Sequence, residues 1–180
     1  MVDFPDVIID LETTGISPDH ANIFQIAAVK FNVKTREVCP DIFSRNLFFT
    51  KNRYWEEGTR SFWKQNQPVF EKLMQDRVDP ESALIDLSNW LDGSNILWAK
   101  PSHFEFPFLD SYFKQFNVTN PFHYRDVQDL NSFLRGLCFP DTVPQTEYNS
   151  GGEALHDART DCLLELKRLM EVLGRVRGCV

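Results

Sequence analysis

Val7-Ile8-Ile9 is an unbroken apolar run that passes directly into Asp10-Leu11-Glu12-Thr13-Thr14-Gly15. A short apolar run closed by a turn signal reads as a buried β-strand, and residues i and i+2 of a strand share one face. Any fold for this chain must therefore end a core strand with Asp10 and Glu12 side by side. Same-face carboxylates at such a place mark a candidate metal site. Far downstream, His156-Asp157-Ala158-Arg159-Thr160-Asp161 opens a helix-patterned segment and adds an imidazole and a further carboxylate.

The rest of the chain supplies ordinary surroundings for these residues. With 180 residues, 42% of them hydrophobic and 13% aromatic, it has material for one full core, and residues 1–180 are expected to form a single domain. Four cysteines, at positions 39, 138, 162 and 179, form no CxxC pair, and no zinc-ligand spacing surrounds the histidines. They read as reduced and incidental. Asp3, Pro5 and Asp6 stand where a signal peptide would be basic and then apolar, and no apolar stretch approaches a membrane span. A cytoplasmic protein without membrane contact is the expectation.

The net charge of −7 argues against a broad basic surface for gripping long duplexes, because non-specific nucleic-acid affinity is largely phosphate neutralisation. It is compatible with a carboxylate site loaded with divalent ions, two of which would bring −7 to −3. No phosphate-binding or dinucleotide glycine fingerprint is present.

Periodicity predicts three antiparallel strands first: the one ending at Asp10, a second over Phe24 to Val33 and a third over Asp41 to Thr50. Asp79-Pro80-Glu81 starts a helix with Pro at its first position, and Ala83, Leu84, Leu87, Trp90 and Leu91 keep a helical period until Gly93. A short buried strand over Ile96 to Ala99 follows, then a helix with Phe108, Leu109, Tyr112, Phe113 and Phe116 inward. A strand near Phe122 to Arg125 precedes a helix carrying Val127, Leu130, Phe133, Leu134 and Leu137. The expected order is βββαβαβα plus a final helix that packs Leu163, Leu166, Met170 and Leu173 and ends near Gly174. Between Cys138 and Glu153, prolines, glycines and polar residues predict a long exposed loop delivering His156, and a frayed basic tail runs through Arg175 and Arg177.

Five helical residues span about 500°, so His156 and Asp161 would diverge if both were helical. His156 is expected at the loop side of the helix start, with Asp161 projecting from the first turns. That arrangement suits a general base beside a fixed metal ligand and, with the paired strand carboxylates, points to metal-dependent phosphodiester hydrolysis.

Asp10-x-Glu12-Thr-Thr-Gly, Gln25-Ile26-Ala27-Ala28-Val29 and His156-x-Ala158-x-x-Asp161 resemble the motifs of the DEDDh 3′ to 5′ exonucleases. Trp98 to Leu109 resembles the family's middle motif, HNxxFDxxFL, with Pro101 in place of the Asn and Glu105 in place of the Asp. The spacing of Phe104, Phe108 and Leu109 makes Glu105 a better match for the third carboxylate than Asp110. Thr59 to Asn66 and Tyr124 to Leu130 are similar to a phage and bacterial branch related to phage DNA exonuclease A.

The resemblance implies an α/β, ribonuclease H-like fold: a five-stranded mixed sheet, antiparallel over the first three strands and then parallel, flanked by helices. It implies Asp10, Glu12, Glu105 and Asp161 as ligands of two Mg²⁺ or Mn²⁺ ions, His156 as general base, and Thr13, Thr14 and Ile16 as contacts to the terminal nucleotide. The implied partner is the 3′ end of a single-stranded DNA or RNA, released as 5′-mononucleotides. Glu105 is one methylene longer than the family's Asp, so the alternative is a catalytically weakened nucleic-acid or protein binding module. An exoribonuclease or oligoribonuclease is a further alternative.

Other features have readings in both directions. Lys51, Arg53, Arg60 and Lys64 interleave with Tyr54, Trp55, Phe62 and Trp63, a pattern suited to phosphates and stacked bases but equally to core packing beneath a solvated face. His20, His103 and His123 read as structural or exposed. Exposed aromatics leave homodimerisation open.

Overall fold

The computed structural model describes residues 3–143 and 156–176. The first three strands are β1 (Asp6–Thr13), β2 (Ile23–Asn32) and β3 (Glu37–Asn46), followed by α1 (Glu57–Gln65), α2 (Gln67–Leu73) and α3 (Pro80–Leu91). Then come β4 (Ile96–Ala99), α4 (Ser102–Gln115), a 3-10 turn over Tyr124–Asp126, β5 (Val127–Asp129), α5 (Leu130–Cys138) and α6 (Ala158–Val176). The sheet has five strands in the order β3-β2-β1-β4-β5. β1, β2 and β3 are antiparallel, while β4 and β5 run parallel to β1, which is the mixed sheet expected from the sequence.

β1 sits at the centre because it is apolar on both faces. Val7, Ile9 and Leu11 pack on one side with Leu84 and Leu87 of α3 and Phe108 and Tyr112 of α4. Ile8 faces the other side, with Leu130 and Leu134 of α5 and Cys162 and Leu166 of α6. Burying each large side chain contributes about 1.5–3 kcal/mol. By strand alternation Asp10 and Glu12 continue the face of Ile8, the one covered by α6.

α3 begins as expected: Asp79 accepts a hydrogen bond from the Ser82 N–H at 3.1 Å, and Pro80 follows it. The helix stops at Asp92 and Gly93, both at positive φ (46° and 90°). Asp129 ties two helix starts together, accepting from the Ser132 N–H of α5 (2.8 Å) and the Ser102 N–H of α4 (3.0 Å). Burial pushes its carboxyl up, but those donors pull it below the ordinary range.

Several boundaries differ from the sequence expectation. The third strand spans Glu37–Asn46 rather than Asp41 to Thr50, because pairing with β2 sets its register rather than its own apolar residues. The last strand is Val127–Asp129 and not Phe122 to Arg125; Tyr124–Asp126 instead form the 3-10 turn, capped by His123, whose ring nitrogen accepts from the Arg125 N–H at 3.3 Å. Val127 thus belongs to this strand and not to α5. α1 and α2 are absent from the expected order. They form around a separate cluster in which Trp63 and Leu73 cover Phe24 of β2, with Trp55, Val69 and Phe70 packed against it. The final helix continues to Val176, past Gly174. Most of the loop predicted between Cys138 and Glu153, and Arg177 in the tail, lie outside the described residues. No helix among the described residues is long and apolar enough to cross a membrane.

Candidate active site

Asp10 and Glu12 lie on β1 opposite Ala27 and Gln25 of β2, just before the β-bulge at Glu12 and Thr13. Gln25 links this strand pair to α6. Its side-chain oxygen accepts from the Ala158 N–H at 2.8 Å, and its amide reaches Asp157 at 3.4 Å. Lys72 of α2 closes on the same carboxylate at 3.0 Å. Asp157 in turn accepts from the Arg159 N–H at 3.1 Å, satisfying one of the free donors of the helix start. These bonds set the position of Asp161, one turn into α6.

The result is a cluster in which Asp10, Glu12 and Asp161 each offer an oxygen, all within 4.8 Å of one another. Burial pushes the Asp10 carboxyl well above the usual carboxylate range, and repulsion from Asp161, Glu165 and Asp157 adds to it, against an opposing pull from Lys100. Glu12 is pushed up in the same way, by burial and then by Asp10, Asp161 and Asp157. Asp161 is raised by burial, while His156 draws it down.

Glu105 lies at the start of α4, 3% exposed, and falls outside the 4.8 Å group. Burial raises its carboxyl first, then Asp10 and Glu12, so it feels the same cluster from the neighbouring helix. One of its carboxylate oxygens is buried without a hydrogen-bond partner. Asp110 takes no part, being bonded to Lys114 and Asn120.

Three acidic side chains converge here and Glu105 stands by them with an orphaned carboxylate oxygen, so every available ligand atom is an oxygen. That donor set fits a hard divalent cation such as Mg²⁺ or Mn²⁺.

His156 stands two residues before α6, at φ 64°. A non-glycine residue in this left-handed region is uncommon and costs energy unless its surroundings hold it. Two contacts do so. Its N–H donates to Asp161 at 3.1 Å, and its ring meets Phe62 edge-on with centroids 4.8 Å apart. The expectation that His156 precedes the helix while Asp161 projects from its first turns matches this arrangement.

A groove of about 370 Å³ runs along the cluster, walled by Glu12, Ile16, Phe62, Phe104 and His156. Ile16 is 75% exposed at its rim. Thr13 also lines it, but its hydroxyl is spent on the Gly15 carbonyl at 2.7 Å. Thr14 is fully buried, donating to the Tyr54 carbonyl and accepting from the Asn22 N–H, so its side chain serves the turn and not the groove.

Four contributors were not singled out by sequence reasoning. Glu56 holds the turn after Glu12 by accepting from the Ser17 N–H at 3.0 Å and meeting His20 at 3.1 Å, while His20 stacks on Tyr54. Lys100 and Glu165 form an ion pair beside Asp10. Gln25 was visible only as part of a motif; an amide at the start of an apolar strand segment was the available signal.

A family model described as the 3′-5′ exoribonuclease Rv2179c-like domain matches residues 5–169. A DNA polymerase III of PolC type from Mycoplasma pneumoniae is 27% identical over 118 residues, which is 64% of this chain and 8% of that protein. E. coli exonuclease I in complex with a dA16 oligonucleotide superposes with a TM-score of 0.69 at 13% identity, covering 96% of this chain and 42% of that one. Cell-death related nuclease 4 superposes with a TM-score of 0.63 at 17% identity, covering 94% of this chain and 64% of that one. The chain thus spans less than two thirds of each of these relatives, and the two structural likenesses establish the fold.

Proposed function

The chain belongs to the 3′-5′ exoribonuclease Rv2179c-like family, and from that premise we propose that it removes 5′-mononucleotides from the 3′ end of a single-stranded RNA or DNA. In this reading Asp10, Glu12, Glu105 and Asp161 hold two divalent ions, Mg²⁺ or Mn²⁺, and His156 is the general base. The observation that carries it is the convergence of Asp10, Glu12 and Asp161 within 4.8 Å of one another, with Glu12 also lining a groove that presents His156.

Divalent ions bound there would neutralise the phosphodiester charge and make an attacking water more acidic. The remaining work falls to the protein. His156 takes a proton from the attacking water; its backbone N–H bond to Asp161 ties its main chain to the ligand set, and Phe62 packs against its ring. Ile16, Phe62 and Phe104 give the terminal base an apolar, partly aromatic seat. Gln25 and Asp157 hold the helix that carries Asp161, so a shift there would move ligand and base together.

Single-turnover hydrolysis of a short 5′-labelled strand tests these roles. His156→Ala is expected to lose roughly 10²- to 10⁴-fold, the usual worth of a positioned base. Asp10→Asn is expected to lose more, because it removes a ligand. Near-normal turnover by Asp10→Asn would overturn the assignment.

A further inference from the structure

α1 divides two grooves. Gly58, Thr59 and Phe62 on one side of the helix face the groove with His156. Arg60, Lys64 and Gln67 border a second cavity of about 500 Å³, whose wall is formed by Trp55 and Phe70. Trp63 lines both, and its ring meets Phe62 edge-on at 5.2 Å. Phe62 and the buried Trp63 therefore form an aromatic partition between the catalytic groove and the second cavity.

The chemistry of that cavity is specific. Trp55 and Phe70, half-buried against the Phe24 cluster, meet at 5.6 Å and 75° and line the cavity with aromatic surface. Arg60 and Lys64 lie one helical turn apart and are exposed, on a chain whose net charge is −7. Among the described residues Arg60 pairs with Glu57 at 4.0 Å, itself 78% exposed, a contact too weak and too solvated to compete with a phosphate. Glu71 lines the cavity from α2, where its carboxylate accepts from the Gln67 amide at 2.6 Å. Aromatic faces flanked by cations are what a single strand recognises: bases stack, and phosphates pair.

We propose that the cavity between α1 and α2 is a second base-binding subsite, which takes the single strand a few nucleotides upstream of the 3′ end. The inference rests on the function proposed above, because it assumes that the strand's end lies in the groove with His156. A helix is about 10 Å across, so a strand seated at both grooves must extend beyond the terminal nucleotide. Substrate length should then matter in a way that the catalytic cluster alone does not dictate.

The test is the R60A/K64A double variant, with both substitutions on exposed side chains outside the catalytic groove. Binding of a fluorescent 12-nucleotide single strand is measured with Ca²⁺ over a range of salt, and hydrolysis is followed on the 12-mer and on the p-nitrophenyl ester of thymidine 5′-monophosphate. The ester is too small to span α1. Weaker 12-mer binding is expected, with the slope of log K against log salt reduced by about 1.4 for two lost phosphate contacts. The KM of the 12-mer should rise with it, while ester hydrolysis stays at the wild-type rate. Unchanged 12-mer affinity and salt slope would overturn the subsite. So would an equal loss on ester and 12-mer. Wild-type protein that binds the 12-mer with the expected slope dependence on Arg60 and Lys64 but cleaves neither substrate would retain the subsite and remove the catalytic reading.

Discussion

Asp10→Asn should make the metal-free protein more stable while abolishing its activity. Asp10, Glu12 and Asp161 place oxygens within 4.8 Å of one another. Two unit charges at that distance repel by about 3.5 kcal/mol at an effective dielectric of 20, and by about 0.9 kcal/mol if water screens them fully. Asp10 takes part in two such pairs, and the groove admits water, so removing its charge should relieve about 2–4 kcal/mol. For a chain of this size each kcal/mol is worth about 2–4 °C, which gives a rise in Tm on the order of 5–10 °C.

The pH dependence fixes the sign. A carboxyl whose folded pKa lies above its unfolded value, about 4, holds its proton in the folded state while the unfolded chain has lost it. Stability then falls as pH rises from about 4 through the raised value. Asp10, Glu12 and Glu105 are all raised in this way, burial being the first cause for each. The advantage of the variant should vanish near pH 4 and grow as pH rises towards 7. Thermal unfolding followed by circular dichroism in chelator, at both pH values, measures it. An Asp10→Asn protein no more stable than wild type at pH 7 would refute the reasoning.

Tyr112→Phe should destabilise by about 1–3 kcal/mol in chemical denaturation, because the fully buried Tyr112 hydroxyl accepts from the Ile23 N–H at 2.6 Å and its loss leaves that donor unpaired. Burial pushes the Tyr112 phenol up to about 12, so this cost should be constant from pH 5 to 9. Gly15→Ala should raise KM more than it lowers kcat: a Cβ there would stand 2.4 Å from the Glu56 carboxyl carbon, expelling the side chain that holds the Ser17 N–H and His20 and freeing the turn that carries Ile16. Gln25→Ala should lower kcat by releasing the start of α6, visible as faster amide exchange at Ala158 and Asp161.

The central strand and its carboxylates were legible because one short apolar run demanded burial on both faces, and alternation then fixed where Asp10 and Glu12 must point. The start of α3 was equally legible, since Asp79 and Pro80 satisfy the helix start locally. α1 and α2 were not. Their buried side chains, Trp63 and Leu73, pack on Phe24 far away in sequence, and the other apolar residues, Phe62, Val69 and Phe70, are scattered among polar ones. The shift of the last strand has a local cause: His123 and the Tyr124–Asp126 turn consume residues that a β-propensity reading assigns to the sheet. Within the site, the His156–Asp161 spacing conveyed which residue stands in the helix and which before it. Nothing in the sequence conveyed that Thr14 turns inward, because its burial depends on Tyr54, forty positions away.

The most direct measurement is hydrolysis of matched 5′-labelled RNA and DNA single strands by the purified protein, with Mg²⁺, with Mn²⁺ and with chelator, beside Asp10→Asn. The expected result is a ladder shrinking from the 3′ end, abolished by chelator and in the variant, with the RNA-to-DNA ratio reporting how the site reads the 2′-hydroxyl. No product from either strand with either metal would contradict the account and leave a fold that binds nucleic acid or protein without cutting.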